Sequence, residues 1–337
     1  MKKFYTLVIA CLYLNLNASA KIWRVNNNTG VIADFSTIQA ANDGASSGDT
    51  IHIEPSINSY GELTINKRLT IISTGQFLSD NPGFQFDTKA PFVNSINISN
   101  AAANNTILMV RYAGNININS GVSGILISNC ASTTANGNSG CTAGQIIINN
   151  ADNITIKNSW ASNIQCQNNS NNIVIANNII GNLVAVDISS DGIIANNVIH
   201  AIAGGACGAN DQSINNCVVG NNIFNSQQNA TFSNCTISNN LAPAGNLPAG
   251  NGNLTNVDMT TVFVNNAGGF VDNVYQLKPG SPAIGAGGGG IDCGAFGGGS
   301  PFKLAVTPPI PSIYKMSIPA TPAGSSMTLT FSTRSNN

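Results

Sequence analysis

The chain has 337 residues, of which 42% are hydrophobic and only 8% charged, with 13 Lys and Arg against 14 Asp and Glu. A net charge of -1 and no basic cluster beyond Lys2 and Lys3 leave no electrostatic footprint for nucleic acid or an anionic membrane surface. The low charge also excludes the composition of a disordered chain, so a packed one is expected.

Lys2 and Lys3, the apolar stretch 4–16 and the small residues Ala18, Ser19 and Ala20 read as a secretory signal peptide over 1–20. The mature chain is expected to begin at Lys21 and to be secreted or held at a cell surface. A competing reading makes Cys11, at the end of VIAC, a lipidated anchor, though the apolar run before it is short. No later apolar stretch reaches the roughly 20 residues that cross a bilayer. Next, Phe35, Ile38, Ala41 and Ala45 fall near helical spacing, before strand-like alternation at 49–53, 63–65 and 69–72. A short amphipathic helix capping the first coil is the expectation, because a bare solenoid end exposes core and strand edge.

From 96 to 241, runs of three to five aliphatic residues alternate with Asn, Ser and Gly, the pattern of short strands and turns. Within it, five phrases repeat: ITIKNSW (154–160), IVIANNI (173–179), GIIANNV (192–198), CVVGNNI (217–223) and CTISNNL (235–241). Their asparagines Asn158, Asn177, Asn196, Asn221 and Asn239 recur at intervals of 19, 19, 25 and 18 residues. A period near 19 holds three short strands with their corners, which is one coil of a parallel β-helix. Each asparagine is placed at a corner, because Asn tolerates the left-handed conformation and its amide can reach the Asn of the next coil. Two residues before stand Ile156, Ile175, Ile194, Val219 and Ile237, and two after stand Trp160, Ile179, Val198, Ile223 and Leu241. Both ranks are expected to point inward and stack. Between them, Thr155, Val174, Ile193, Val218 and Thr236, with Lys157 beside them, form an outward strip about 20 Å long at the strand spacing. It is read either as a docking surface or as a face covered by a loop or the C-terminal segment.

Seven cysteines follow residue 20: Cys130, Cys141, Cys166, Cys207, Cys217, Cys235 and Cys293. Cys217 and Cys235 share a rank one coil apart, about 4.8 Å between backbones; a disulfide and two stacked buried thiols both remain open. Beyond 241 the chain turns rich in Pro, Gly and Asn, then carries SPAIGAG (281–287) and DCGAF (292–296). Residues 301–337 read as a small β-hairpin or tail, serving as a cap or an attachment element.

The opening FSTIQAAND (35–43) with GDTIHI (48–53) resembles the first coil of exported bacterial right-handed parallel β-helix proteins, and residues 301–337 resemble the tails of such proteins of the Bacteroidota type. SPAIGAG with DCGAF resembles their closing coil. The resemblance implies an all-β fold with a right-handed parallel β-helix over 21–300, and it implies location more than chemistry.

Two functions are expected of such a chain. The preferred one is a non-catalytic protein that binds a polysaccharide or another cell-surface component through the outward strip, with no cofactor. The alternative is a Ca²⁺-dependent polysaccharide lyase, in which Asp187, Asp191 and Asp211 would hold the metal and Lys157 would abstract the proton. The bland reading of those aspartates is that an Asp at a corner satisfies backbone amides. His52 and His200 read as structural, since neither carries a catalytic motif.

Overall fold

The computed structural model describes residues 20–99, 106–133, 143–202, 213–226, 231–244, 247–264, 272–318 and 327–335. Residues 1–19 of the expected signal peptide, together with Cys141, Cys207 and Asp211, lie outside them.

The aliphatic runs become strands that pair in parallel with the equivalent run one coil on. Among the described residues, the first sheet has ten strands: Ile22–Val25, Thr50–Ile53, Thr70–Ile72, Thr106–Met109, Ser123–Ser128, Asp152–Lys157, Ile173–Ala176, Gly192–Ala195, Cys217–Gly220 and Thr236–Ser238. The second has thirteen, and two of its members, Trp160–Asn171 and Ile179–Ser190, are long enough to bend across a corner with register shifts. The chain therefore winds as a parallel β-solenoid. The helix Ile38–Gly44 starts at Thr37, whose hydroxyl accepts from the Ala40 N–H, and it buries Ile38, Ala41 and Asn42.

The interior confirms one expected rank and relocates the other. Ile156, Ile175, Ile194, Val219 and Ile237 stack inside the coil as part of one continuous core. Trp160, Ile179, Val198, Ile223 and Leu241 are buried as well, yet they belong to a separate core on the outside of the coil. The reason is strand alternation. The residue immediately after each corner asparagine points inward, so the next one must point out and the one after that, Ala161, Ile180, Ile199 or Phe224, in again.

That inward residue is itself asparagine in four phrases. Asn178, Asn197, Asn222 and Asn240 are at most 1% exposed, and each Nδ2 donates to the Oδ1 of the next, at 3.1, 3.0 and 2.9 Å, ending on Asn253 at 3.1 Å. The same Oδ1 atoms accept the backbone N–H of Ser159, Asn178, Asn197, Asn222 and Asn240 at 2.9–3.0 Å. Each Nδ2 also donates to a carbonyl of the coil before: Ile156, Ile175, Ile194 or Val219. The corner asparagines have the left-handed φ, from 50° to 58°. Only one of their amides reaches another of the set, Asn221 Nδ2 to Asn196 Oδ1 at 3.4 Å. The amide ladder thus runs one residue later than the sequence reading placed it.

The corner amides instead grip the C-terminal segment. Asn158 donates to the Pro301 carbonyl at 3.1 Å, Asn177 to those of Ala295 at 3.0 Å and Gly297 at 2.7 Å, and Asn196 to that of Asp292 at 3.3 Å. Asn221 accepts the Gly288 N–H at 2.9 Å, and Asn129 donates to the Thr307 carbonyl at 3.3 Å. As the chain advances from 288 to 307, its partners step back from Asn221 towards Asn129. The segment is therefore a strap laid along the solenoid against the direction of coiling. Gly294 fits there because its φ is +88° and an added Cβ would lie 2.7 Å from Ile223 Cδ1.

DCGAF accordingly lies on the strap, and SPAIGAG leads directly into it. Among the described residues, parallel coil pairing is last seen at the Leu241–Leu254 bridge. Beyond the strap, Ser312–Ser317 pairs antiparallel with Thr330–Arg334. It is moored to the loop at 81–86 by Ser312 Oγ donating to the Phe84 carbonyl and by the Phe86 N–H donating to that of Ile313.

Candidate functional site

The outward face of the first sheet is left open by the strap. One rank follows an unbroken backbone register through Ile22, Thr50, Thr70, Ile107, Leu126, Thr155, Val174, Ile193, Val218 and Thr236, facing outward at every position whose side chain is described. Ile193 is 40% and Val218 49% exposed; Thr236 is exposed, and Thr155 and Val174 are partly so. The five residues expected from the repeat are thus the later half of a ten-rung rank. The earlier half escaped sequence reasoning because its coils lack the Asn phrase, although TIHI, TII and SGILIS carry the same alternation.

Beside this rank, Lys157 is aligned with Ser128, Ala176 and Ala195. It lines an open groove of about 510 Å³ with Leu126, Thr155, Asn153 and Asn172. It also lines a smaller hollow of about 200 Å³, walled by Ser300, Lys303 and Thr307 of the strap. A flat aliphatic and hydroxyl surface with lysines at its strap-side margin can hold an extended polar chain by contact and hydrogen bonds. Among the described residues the outward rank carries no aromatic side chain.

Lys157 and Asp191 of the metal-dependent alternative are not brought together. Asp191 is exposed at a left-handed corner with φ 58°. It is in line with Asn153, Asn172, Asn216 and Asn234, which also have positive φ and so form a second corner rank at the opposite end of the sheet from Lys157. Four residues along the strand and two coils across separate Lys157 from Asp191, about 16 Å between backbones. Asp187 lies in Ile179–Ser190 of the second sheet, and Asp211 lies outside the described residues. No group of three metal-ligating side chains occurs among the described residues.

The remaining polar candidates have structural surroundings. Asp152 accepts from the backbone and side-chain nitrogens of Asn171 at 2.9 and 3.0 Å, as an Asp at a corner should. His200 lies 3.1 Å from Asn225 Nδ2. Burial lowers the pKa values of both His200 and His52, which favours the neutral ring at pH 7.

Cys217 and Cys235 stand on adjacent coils as free thiols, the first buried and the second partly exposed. The neighbouring Cys217 thiol lowers the pKa of Cys235 against the opposing effect of burial, while Cys217 is pushed up. Alkylation of the Cys235 peptide should therefore have its midpoint below the ordinary thiol value of about 8.5, and Cys217→Ala should move that midpoint upward. A wild-type midpoint in the ordinary range would contradict the pairing.

No family model matches the chain and no curated protein matches it. Among the described residues, no helix is long and apolar enough to cross a membrane.

Proposed function

We propose that this is an exported, non-catalytic β-helix of the right-handed parallel type that binds a polysaccharide or similar surface polymer along the outward face of its first sheet. One observation carries the reading. Of two apolar ranks on the outside of the coil, the one led by Trp160 is sealed by the strap, whereas the Val174–Ile193–Val218 rank is left open. An uncovered apolar strip is costly unless it has an occupant. Equal rungs repeating about every 4.8 Å suit an extended, repetitive ligand. In the same reading the helix Ile38–Gly44 caps the first coil, and the antiparallel pair at the C-terminus secures the strap.

The separation of Lys157 from Asp191 gives the lyase alternative no support. A glycan-array and uronide-degradation screen on residues 21–337, with and without Ca²⁺, tests both readings. Binding without cleavage is expected. Ile193→Arg or Val218→Arg should abolish that binding while changing stability by less than about 0.5 kcal/mol, as for surface positions generally. Ca²⁺-dependent release of unsaturated products would reverse the proposal.

A further inference from the structure

The antiparallel pair Ser312–Ser317 and Thr330–Arg334 is attached to the body by its polar side. Residues directly opposite in such a pair share a face, so Ser312 with Arg334, Lys315 with Ser332 and Ser317 with Thr330 make up that side. At its moored end it meets the loop at 83–86. Ser312 is buried there, Arg334 Nη1 donates to the Gly83 carbonyl at 3.3 Å, and the guanidinium carbon lies 4.4 Å from the Phe84 ring centroid. The other side is apolar. It holds Ile313 opposite Thr333 and Met316 opposite Phe331, and Ile318 and Leu329 continue the alternation one residue beyond the last pair. Ile313, Ile318, Leu329 and Phe331 are between 45% and 61% exposed. Phe86, whose N–H donates to the Ile313 carbonyl at 2.8 Å, is an exposed ring beside them. A two-stranded pair is marginal in water unless its hydrophobic face is packed; here that face is the one turned to solvent.

We propose that the apolar face of this pair is the contact between two copies of the chain, ribbon against ribbon across a two-fold axis. An isologous contact needs a patch that complements itself, and this one carries no charge that would meet its like in the partner. Five apolar residues about half exposed, at roughly 200 Å² each when bare, leave roughly 500 Å² of surface. Two copies face to face bury twice that, about 1,000 Å², which reaches the lower bound for a specific interface before any rim contact is added. An anionic bilayer fits less well, because an interfacial element sets its cations around the apolar face, whereas Lys315 and Arg334 are on the opposite side and Arg334 is held at Gly83 and Phe84. The inference makes no use of the lateral face, so its failure would leave the polymer-binding reading untouched.

Sedimentation velocity of the full mature chain from about 1 to 300 µM is the test, with a monomer–dimer Kd on the order of 10–100 µM expected for an interface at the small end of the range. Phe331→Asp should weaken association at least about tenfold. Thr330→Asp, which adds the same charge one residue away on the polar side, should leave it within about twofold. Hydroxyl-radical footprinting of the wild type at the two ends of that concentration range needs no variant: Ile318, Leu329 and Phe331 should lose reactivity on association, while Ile193 and Val218 keep theirs. A wild-type chain still monomeric at the upper concentration would overturn the proposal, as would a dimer protected at Ile193 and Val218 but not at Phe331, or equal weakening by the two Asp variants. Flotation of the monomer with phosphatidylcholine vesicles would assign the face to lipid and overturn it too.

Discussion

Asn222→Ala should lower unfolding stability by about 3–5 kcal/mol, because each buried polar group left without a partner costs about 1–3 kcal/mol. Removing this side chain takes away the donor to the Ile194 carbonyl and to Asn240 Oδ1, and the acceptor for both nitrogens of Asn197. Nothing can replace them, since Asn222 is fully buried. Its neighbour behaves differently. Asn221→Gly keeps the left-handed corner without steric cost and gives up chiefly the contact with the Gly288 N–H, so about 1 kcal/mol should be lost. Denaturant unfolding of the two variants distinguishes ladder from corner. Similar losses at both positions would mean that the inner ladder has been assigned to the wrong residue.

Trp160→Ala should cost about 3–5 kcal/mol, the usual range for a buried aromatic truncated in a core. The consequence peculiar to this fold is where the damage falls. Trp160 packs on Phe77 and Tyr275 at ring-centroid distances of 5.2 and 6.2 Å, within the outer core that also holds Phe263, Phe302 and Val306. Limited proteolysis of the variant should therefore nick residues 288–307 first, while the coils stay resistant. Early cleavage within the coil strands, with the strap intact, would place the indole in the lumen after all.

The solenoid was legible because its physics repeats. An aliphatic residue facing the lumen at every coil leaves a period in the chain, and Ile156, Ile175, Ile194, Val219 and Ile237 announce it. The doublets at 177–178, 196–197, 221–222 and 239–240 were equally visible, but a doublet does not say which member turns inward. That depends on the corner: once Asn177 takes φ 55°, Asn178 is directed into the lumen and Ile179 out of it. The strap was not legible. Its hold on the coil comes from backbone carbonyls and N–H groups of a Gly-rich segment meeting amides as many as 178 residues away, and such contacts leave no periodic trace. Cys217 and Cys235 fell in register as their spacing implied.

The lateral strip was visible from the repeat, and its openness was the undecided part. It follows from where the strap lies, so side-chain footprinting of the isolated mature protein by hydroxyl radicals tests the account most directly. Ile193 and Val218 should be modified readily, with Val174 intermediate, while Ile179 and Val198, equally aliphatic and on the same coils, should stay protected. Protection of Ile193 and Val218 in the monomer would mean that the strip is covered by the protein's own chain, and the docking face would be lost with it.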